Sequence, residues 1–218
     1  MKKPPAPRRE RGDAVTADQT EGSDAEVIER SLLEPEMFGT IFERHFSRIC
    51  RYLRRRLGGA LADELASETF AVAFDVRGGY DPSHPDAGPW LFGIATNLFR
   101  RHLRTERRQL NAFARYGIDP DSSGQVDLTV VENRIDASGE GRRLAGALAK
   151  LSDGDREVVL LRAWGELTYQ QIAEALAIPV GTVRSRLAHA RRRLRELLDT
   201  SGKETGEGAT APKPRSGS

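Results

Sequence analysis

The sequence predicts an all-α protein of two small helical domains joined by a flexible linker, and three observations carry that prediction. Apolar residues recur at helical spacing in two blocks, and no stretch alternates for long enough to make a sheet. The segments around and between the blocks are polar, with Gly, Ser and Pro prominent. At 218 residues, with 38% hydrophobic and 30% charged, the chain suits two compact cores better than one large one. The expected order is a disordered extension over 1–35 and a three-to-four-helix bundle over 36–108. A linker follows over 109–140, then a second helical unit over 141–199 and a disordered tail over 200–218.

The extension starts basic and Pro-rich (Lys2, Lys3, Arg8, Arg9, Arg11) and turns acidic (Glu21, Asp24, Glu26, Glu29, Glu34, Glu36), without hydrophobic periodicity. In the first block, Phe38, Ile41, Phe42, His45, Phe46, Ile49, Leu53 and Leu57 predict one helix, which Gly58 and Gly59 stop. Leu61–Val76 predicts a second, anchored by Leu65, Phe70, Val72 and Phe74. The run RGGYDPSHPDAG (Arg77–Gly88) reads as a loop by its Gly and Pro content, and Pro89 suits the first turn of a third helix reaching Arg108.

On that third helix, Leu91, Ile94, Ala95 and Leu98 share one arc and face the core. Gly93, Thr96, Asn97, Arg100, Arg104 and Arg107 fall opposite. Arginine on successive turns beside an amide and a hydroxyl is what a nucleic-acid face needs: charge for phosphates, donors and acceptors for base edges. Trp90 supplies a platform on which an unpaired base could stack.

In the second block, Leu144, Leu148 and Leu151 mark one helix, and Val158, Val159 and Leu161 another. Thr168 with Gln171 makes a capping box that opens a short helix bearing Ile172, Ala173 and Leu176. Ala177-Ile178-Pro179 is a turn, and a longer helix starts near Pro179. Val183, Leu187, Ala190, Leu194, Leu197 and Leu198 share its apolar arc, while Ser185, Ala188, His189, Arg192 and Arg195 face away. A short helix, a tight turn and a longer helix with a basic outer face form a helix-turn-helix, whose second helix enters the major groove.

The net charge of +2 hides clusters of basic residues at Arg44–Arg56, Arg100–Arg108 and Arg184–Arg195, and a polyanion responds to clusters rather than to net charge. Cys50 is the single cysteine, so no intramolecular disulfide or thiolate zinc site forms. His45, His84, His102 and His189 share no metal-ligand spacing, no Walker motif is present, and the carboxylates of Asp63, Glu64 and Glu68 lack a partner base. No catalytic residue, metal or cofactor is expected. No secretory segment follows the basic start and nothing approaches the ~20 apolar residues of a membrane span, so a cytoplasmic protein without membrane insertion is expected.

The run REVVLLRAWGELTYQQIAEALAIPVGTVRSRLAHARRRLREL resembles region 4 of the extracytoplasmic-function (ECF) RNA polymerase sigma factors, in the sigma-70 family. DELASETFAVAF (Asp63–Phe74) resembles their region 2.2, and PWLFGIATNLFRRHLR (Pro89–Arg104) their regions 2.3 and 2.4. The resemblance implies a sigma factor that binds core RNA polymerase through the β′ clamp helices and the β flap and directs promoter-specific initiation. Asp63, Glu64, Glu68 and Thr69 would dock on the clamp helices. Trp90, Asn97, Arg100, Arg101 and Arg104, with the loop before them, would capture the melted −10 strand. Thr182, Arg184, Ser185, Arg186, His189 and Arg192 would read the −35 element as duplex. An anti-sigma factor is the implied further partner, and nucleoid association the implied location when active.

Three features depart from the family's pattern. Ala177 stands where members often carry Gly; if left-handed there, it costs about 1 kcal/mol. SDGDRE replaces a Pro-bearing helix start, and the loop before Trp90 is longer and richer in Pro. A stand-alone regulator that binds an operator through its helix-turn-helix is the competing reading, and the region-2-like motifs argue against it.

Overall fold

The computed structural model describes residues 22–116 and 139–204. Within them the chain forms α1 (Asp24–Ser31), α2 (Gly39–Arg56), α3 (Gly59–Val76), α4 (Gly88–Tyr116), α5 (Gly139–Ala149), α6 (Asp153–Ala163), α7 (Tyr169–Leu176) and α8 (Val180–Glu204). Two single 3-10 turns, Pro35–Phe38 and Arg77–Gly79, precede α2 and follow α3. No strand occurs among the described residues, and no helix among them is long and apolar enough to cross a membrane.

The extension is not structureless throughout, because α1 folds inside it. Ser23 and Glu26 form a reciprocal capping box: the Ser23 N–H donates to Glu26 Oε2 at 2.9 Å and the Glu26 N–H to Ser23 Oγ at 3.3 Å. A helix of 8 residues has little stability alone. Tertiary contacts supply the rest. Val27 and Ile28 enter the core, and the buried Asp24 carboxylate accepts from Arg44 (2.8 Å), His45 Nε2 (2.6 Å) and the Ala87 N–H (2.9 Å).

α2, α3 and α4 make the first bundle around Ile41, Ile49, Leu53, Leu65, Ala66, Leu91 and Ala95. α4 continues to Tyr116, past the expected boundary at 108, so the first part of the expected linker is helical. The remainder of that linker, 117–138, lies outside the described residues. So do 1–21 and, beyond the end of α8 at Glu204, the tail over 205–218.

In the second unit, Ser152 caps α6 by accepting from the Asp155 N–H at 3.2 Å. Thr168 and Gln171 form the expected capping box on α7. Ala177 ends α7 in the left-handed region (φ 51°, ψ 47°), the conformation that costs a β-carbon-bearing residue about 1 kcal/mol. α8 buries Val183, Leu187 and Ala190, and Leu194 packs with Leu148 and Leu151.

The two units share one hydrophobic core, which runs from Val27 and Ile28 through Phe92 to Ile172 and Leu187. α7 lies against α4. Their backbones approach so closely that a Cβ on Gly93 would sit 2.7 Å from the Ala175 carbonyl oxygen. Gly93 and Thr96, expected to face outward, are both buried, Gly93 beneath α7. A wheel cannot tell a face turned to water from one of small residues seating another helix.

Candidate nucleic-acid and polymerase interfaces

α8 presents the helix-turn-helix face. Arg184, Ser185, His189 and Arg192 are exposed, and Thr182 and Arg186 half-buried. Two of these side chains are braced by α6. His189 Nδ1 lies 2.7 Å from Asp155 Oδ2. The Arg186 guanidinium packs over Gly154, where a Cβ would stand 3.0 Å from Cζ. The SDGDRE start thus gives Arg186 a flat seat and His189 a carboxylate. The Ser185 hydroxyl donates to the Thr182 carbonyl at 3.0 Å, leaving Arg184 and Arg192 as the fully projecting cations of the predicted set.

α4 presents the second face, in a different state. Trp90 is half-buried, edge-on to Tyr80 with ring centroids 5.0 Å apart. The two rings wall a cavity of about 260 Å³ completed by Asp81, His84, Asp86 and, from α7, Glu174. Burial and the surrounding carboxylates push the Tyr80 hydroxyl well above its ordinary pKa. Asn97, Arg101 and Arg104 are exposed, and Arg101 pairs with Glu68. Arg100 turns instead toward Glu157 of the second unit, 3.6 Å away. The side chain of Arg107 lies outside the described residues.

On α3, Glu64 is exposed. Asp63 is held by Arg54 in a two-pronged pair (2.8 and 2.9 Å), which keeps its carboxyl below the usual range, and it accepts from Cys50 Sγ at 3.1 Å. Burial, then the hydrogen bond to Asp63, push the Cys50 thiol up, away from the reactive thiolate. Thr69 does not belong to the surface: it is 0% exposed, and its hydroxyl donates to the Leu65 carbonyl at 2.7 Å. Its place among surface carboxylates in the sequence hid its inward position on the wheel.

A buried polar cluster that sequence reasoning missed joins the two units. Glu157 of α6 reaches into the first unit and accepts from Tyr52 (3.0 Å) and Arg56 (2.5 Å), with Arg56 stacked on the Phe99 ring at 3.8 Å. Glu157 is 4% and Arg56 5% exposed. Burial alone would raise the Glu157 carboxyl, but the Arg56 charge and hydrogen bonds, with Arg100 and Tyr52, outweigh it and hold it below its ordinary pKa. The pair is therefore ionised. The signal available in the sequence was a glutamate placed among Val158, Leu160 and Leu161, on the buried side of an amphipathic helix.

Asp24, His45 and Asp86 place one ligand atom each within 4.8 Å of one another, the spacing of a metal site. Protein donors already occupy those carboxylates. Asp24 is taken as described, and Asp86 accepts from the Gly88 N–H (2.8 Å) and Gln171 Nε2 (3.0 Å). The cluster is a polar clasp joining α1, α2, the loop before α4, and α7.

The Sigma-70 region 2 family matches residues 41–109, and the Sigma-70, region 4 family matches 141–194. The ECF RNA polymerase sigma factor SigK of Mycolicibacterium vanbaalenii is 29% identical over 169 residues, covering 76% of this chain and 83% of its own length. Among solved structures, CnrH in complex with the cytosolic domain of CnrY superposes with a TM-score of 0.56 at 24% identity, covering 81% of this chain and 97% of its own. The sigma factor RpoE in complex with the anti-sigma factor NepR from Bartonella quintana gives 0.54 at 23% identity, covering 75% and 98%. At these identities the likeness is one of fold.

Proposed function

This chain belongs to the sigma-70 family, among its ECF sigma factors, and from that premise we propose how its two domains divide promoter recognition. The carrying observation is the exposed basic face of α8, with Arg184 and Arg192 projecting and Arg186 and His189 braced on α6. A helix held this way enters the major groove of duplex DNA, where arginine reads guanine edges or phosphates. α8 reads the −35 element through Thr182, Arg184, Ser185, Arg186, His189 and Arg192.

α4 and its preceding loop capture the single-stranded −10 element. Trp90 and Tyr80 offer ring faces for an unpaired base, and Asn97, Arg100, Arg101 and Arg104 hold the backbone and base edges. Binding the flipped base drives melting without covalent chemistry. Glu64, with Asp63 and Glu68 beside it, docks on the polymerase clamp helices, and the second domain meets the β flap. An anti-sigma factor is the proposed regulator, supported by the complexes in which CnrH and RpoE were solved.

Reversing charge at two positions tests the division. Arg184→Glu combined with Arg186→Glu should abolish promoter-specific transcription while the variant still co-elutes with core polymerase. Normal transcription from the variant would refute the assignment of α8.

A further inference from the structure

We propose that Asp155 of α6 is a positioning residue for promoter recognition, acting through His189. It fixes the tautomer of the ring, so that α8 offers Nε2 to the major groove as an acceptor and selects cytosine or adenine at one position of the −35 element. The inference rests on the reading of α8 as the −35 helix and deepens it. It names the bases that one side chain of α8 takes, and the residue outside α8 that sets the choice.

The arrangement starts at a helix cap. The Ser152 hydroxyl accepts from the Asp155 N–H at 3.2 Å, which fixes the first turn of α6 where it packs along α8. From that turn the Asp155 carboxylate reaches His189, with Oδ2 2.7 Å from Nδ1. The Asp155 side chain is 10% exposed and that of His189 54%. The pair therefore has an anchored end and a presented end. Gly154 lies flat under the Arg186 guanidinium, so the same turn of α6 supports two side chains one helical turn apart on α8.

The chemistry of the pair decides what it can read. A carboxylate only accepts, and a neutral imidazole carries one N–H. Asp155 therefore holds that proton on Nδ1, and Nε2 keeps a bare lone pair. In the major groove cytosine N4 and adenine N6 present amino donors, whereas guanine and thymine present only acceptors. An Nε2 acceptor bonds the first two bases and is repelled by the others. The opposite tautomer would reverse the choice and favour guanine. Arg184 and Arg192, the projecting cations of α8, carry donors alone and cannot select an amino group. The Asp155–His189 pair thus adds a kind of readout that the arginines lack.

The test is the base preference of the holoenzyme reconstituted from the full chain and core polymerase. The template is a promoter recovered from genomic DNA with its −35 element randomised, each copy reported by a transcribed barcode. The assay runs at pH ~8.5, about two units above the ordinary imidazole pKa, where the ring is neutral. At one position the parent should prefer cytosine or adenine over guanine and thymine by about fivefold, the worth of one hydrogen bond. Asp155→Asn offers Nδ1 a donor as well as an acceptor, so it admits both tautomers and should cut that preference below about twofold. Preferences elsewhere in the element should persist. His189→Ala, made on the exposed side of the pair, should erase the same preference, and adding Asp155→Asn to it should change nothing further there. Arg184→Ala in the same library separates the two claims: a preference altered at another position keeps α8 as the −35 helix whatever Asp155→Asn does. A guanine preference at the His189 position would overturn the proposal. So would an Asp155→Asn variant that keeps the parent's profile, or one that weakens every position alike.

Discussion

Two of the basic faces of this molecule, on α8 and on α4, are kept in different states. On α8, Arg184 and Arg192 stand in solvent while Arg186 and His189 are braced by α6. On α4 the corresponding face is covered only in part: α7 lies over Gly93, Arg100 is drawn to Glu157 and the Trp90 cavity is shared with Glu174, while Asn97, Arg101 and Arg104 stay exposed. The difference follows from what each face is proposed to bind. A duplex groove is available before any melting, so a face that reads it gains nothing from cover. A face with aromatic rings for unpaired bases would hold any single strand it met, because stacking tolerates every base.

The largest effect that would break the comparison is at the join itself. Phe92 is 0% exposed, packs edge-on to Tyr52 with centroids 5.1 Å apart, and has Arg48 over its ring at 5.2 Å. Phe92→Ala should cost about 3–5 kcal/mol and shift the urea midpoint for both domains together. A loss confined to the first domain would show that the shared core does not couple them.

The next effect is electrostatic. Burial pushes the Asp24 carboxyl up, but hydrogen bonds from His45, Ala87 and Arg44 outweigh it and bring it from an ordinary 3.8 down to about 2. The carboxylate is thus favoured more in the folded chain than in the unfolded one. Its contribution is present above pH ~4 and is lost as the pH falls toward ~2, at most about 2 kcal/mol in all. Acid titration of the parent should show this loss, and Asp24→Asn should flatten it. An unchanged acid limb in the variant would remove Asp24 from the account.

The smallest effect sharpens the α8 side. Ala177 is left-handed at φ 51°, so Ala177→Gly should raise stability by about 1 kcal/mol in thermal melts, with DNA recognition by α8 unaltered. A destabilised variant would mean that the Ala177 methyl packs more than the strain costs.

The helix-turn-helix was legible in the sequence because its determinants are local. Thr168, Gln171, Ala177 and the apolar arc of α8 all lie within one short run. α1 was harder: its capping residues are present in Ser23 and Glu26, but an 8-residue acidic helix becomes credible only once Arg44, His45 and Ala87 close on Asp24. The roof over α4 was least legible. Gly93 and Glu157 read as outward or unremarkable on their own helices, and only the packing of the two units sets Gly93 against Ala175 and Glu157 against Arg56. Thr69 misled for a related reason, since a threonine that bonds its own helix carbonyl can be buried as readily as an alanine.

The most direct test of the central claim is reconstitution with core RNA polymerase. The purified chain should bind core stably and produce transcripts from discrete start sites on fragmented genomic DNA, absent when the chain is omitted. Mapping those starts should reveal two shared upstream elements. Tight, sequence-specific DNA binding by the chain alone, with no binding to core, would contradict the account and identify a stand-alone regulator instead.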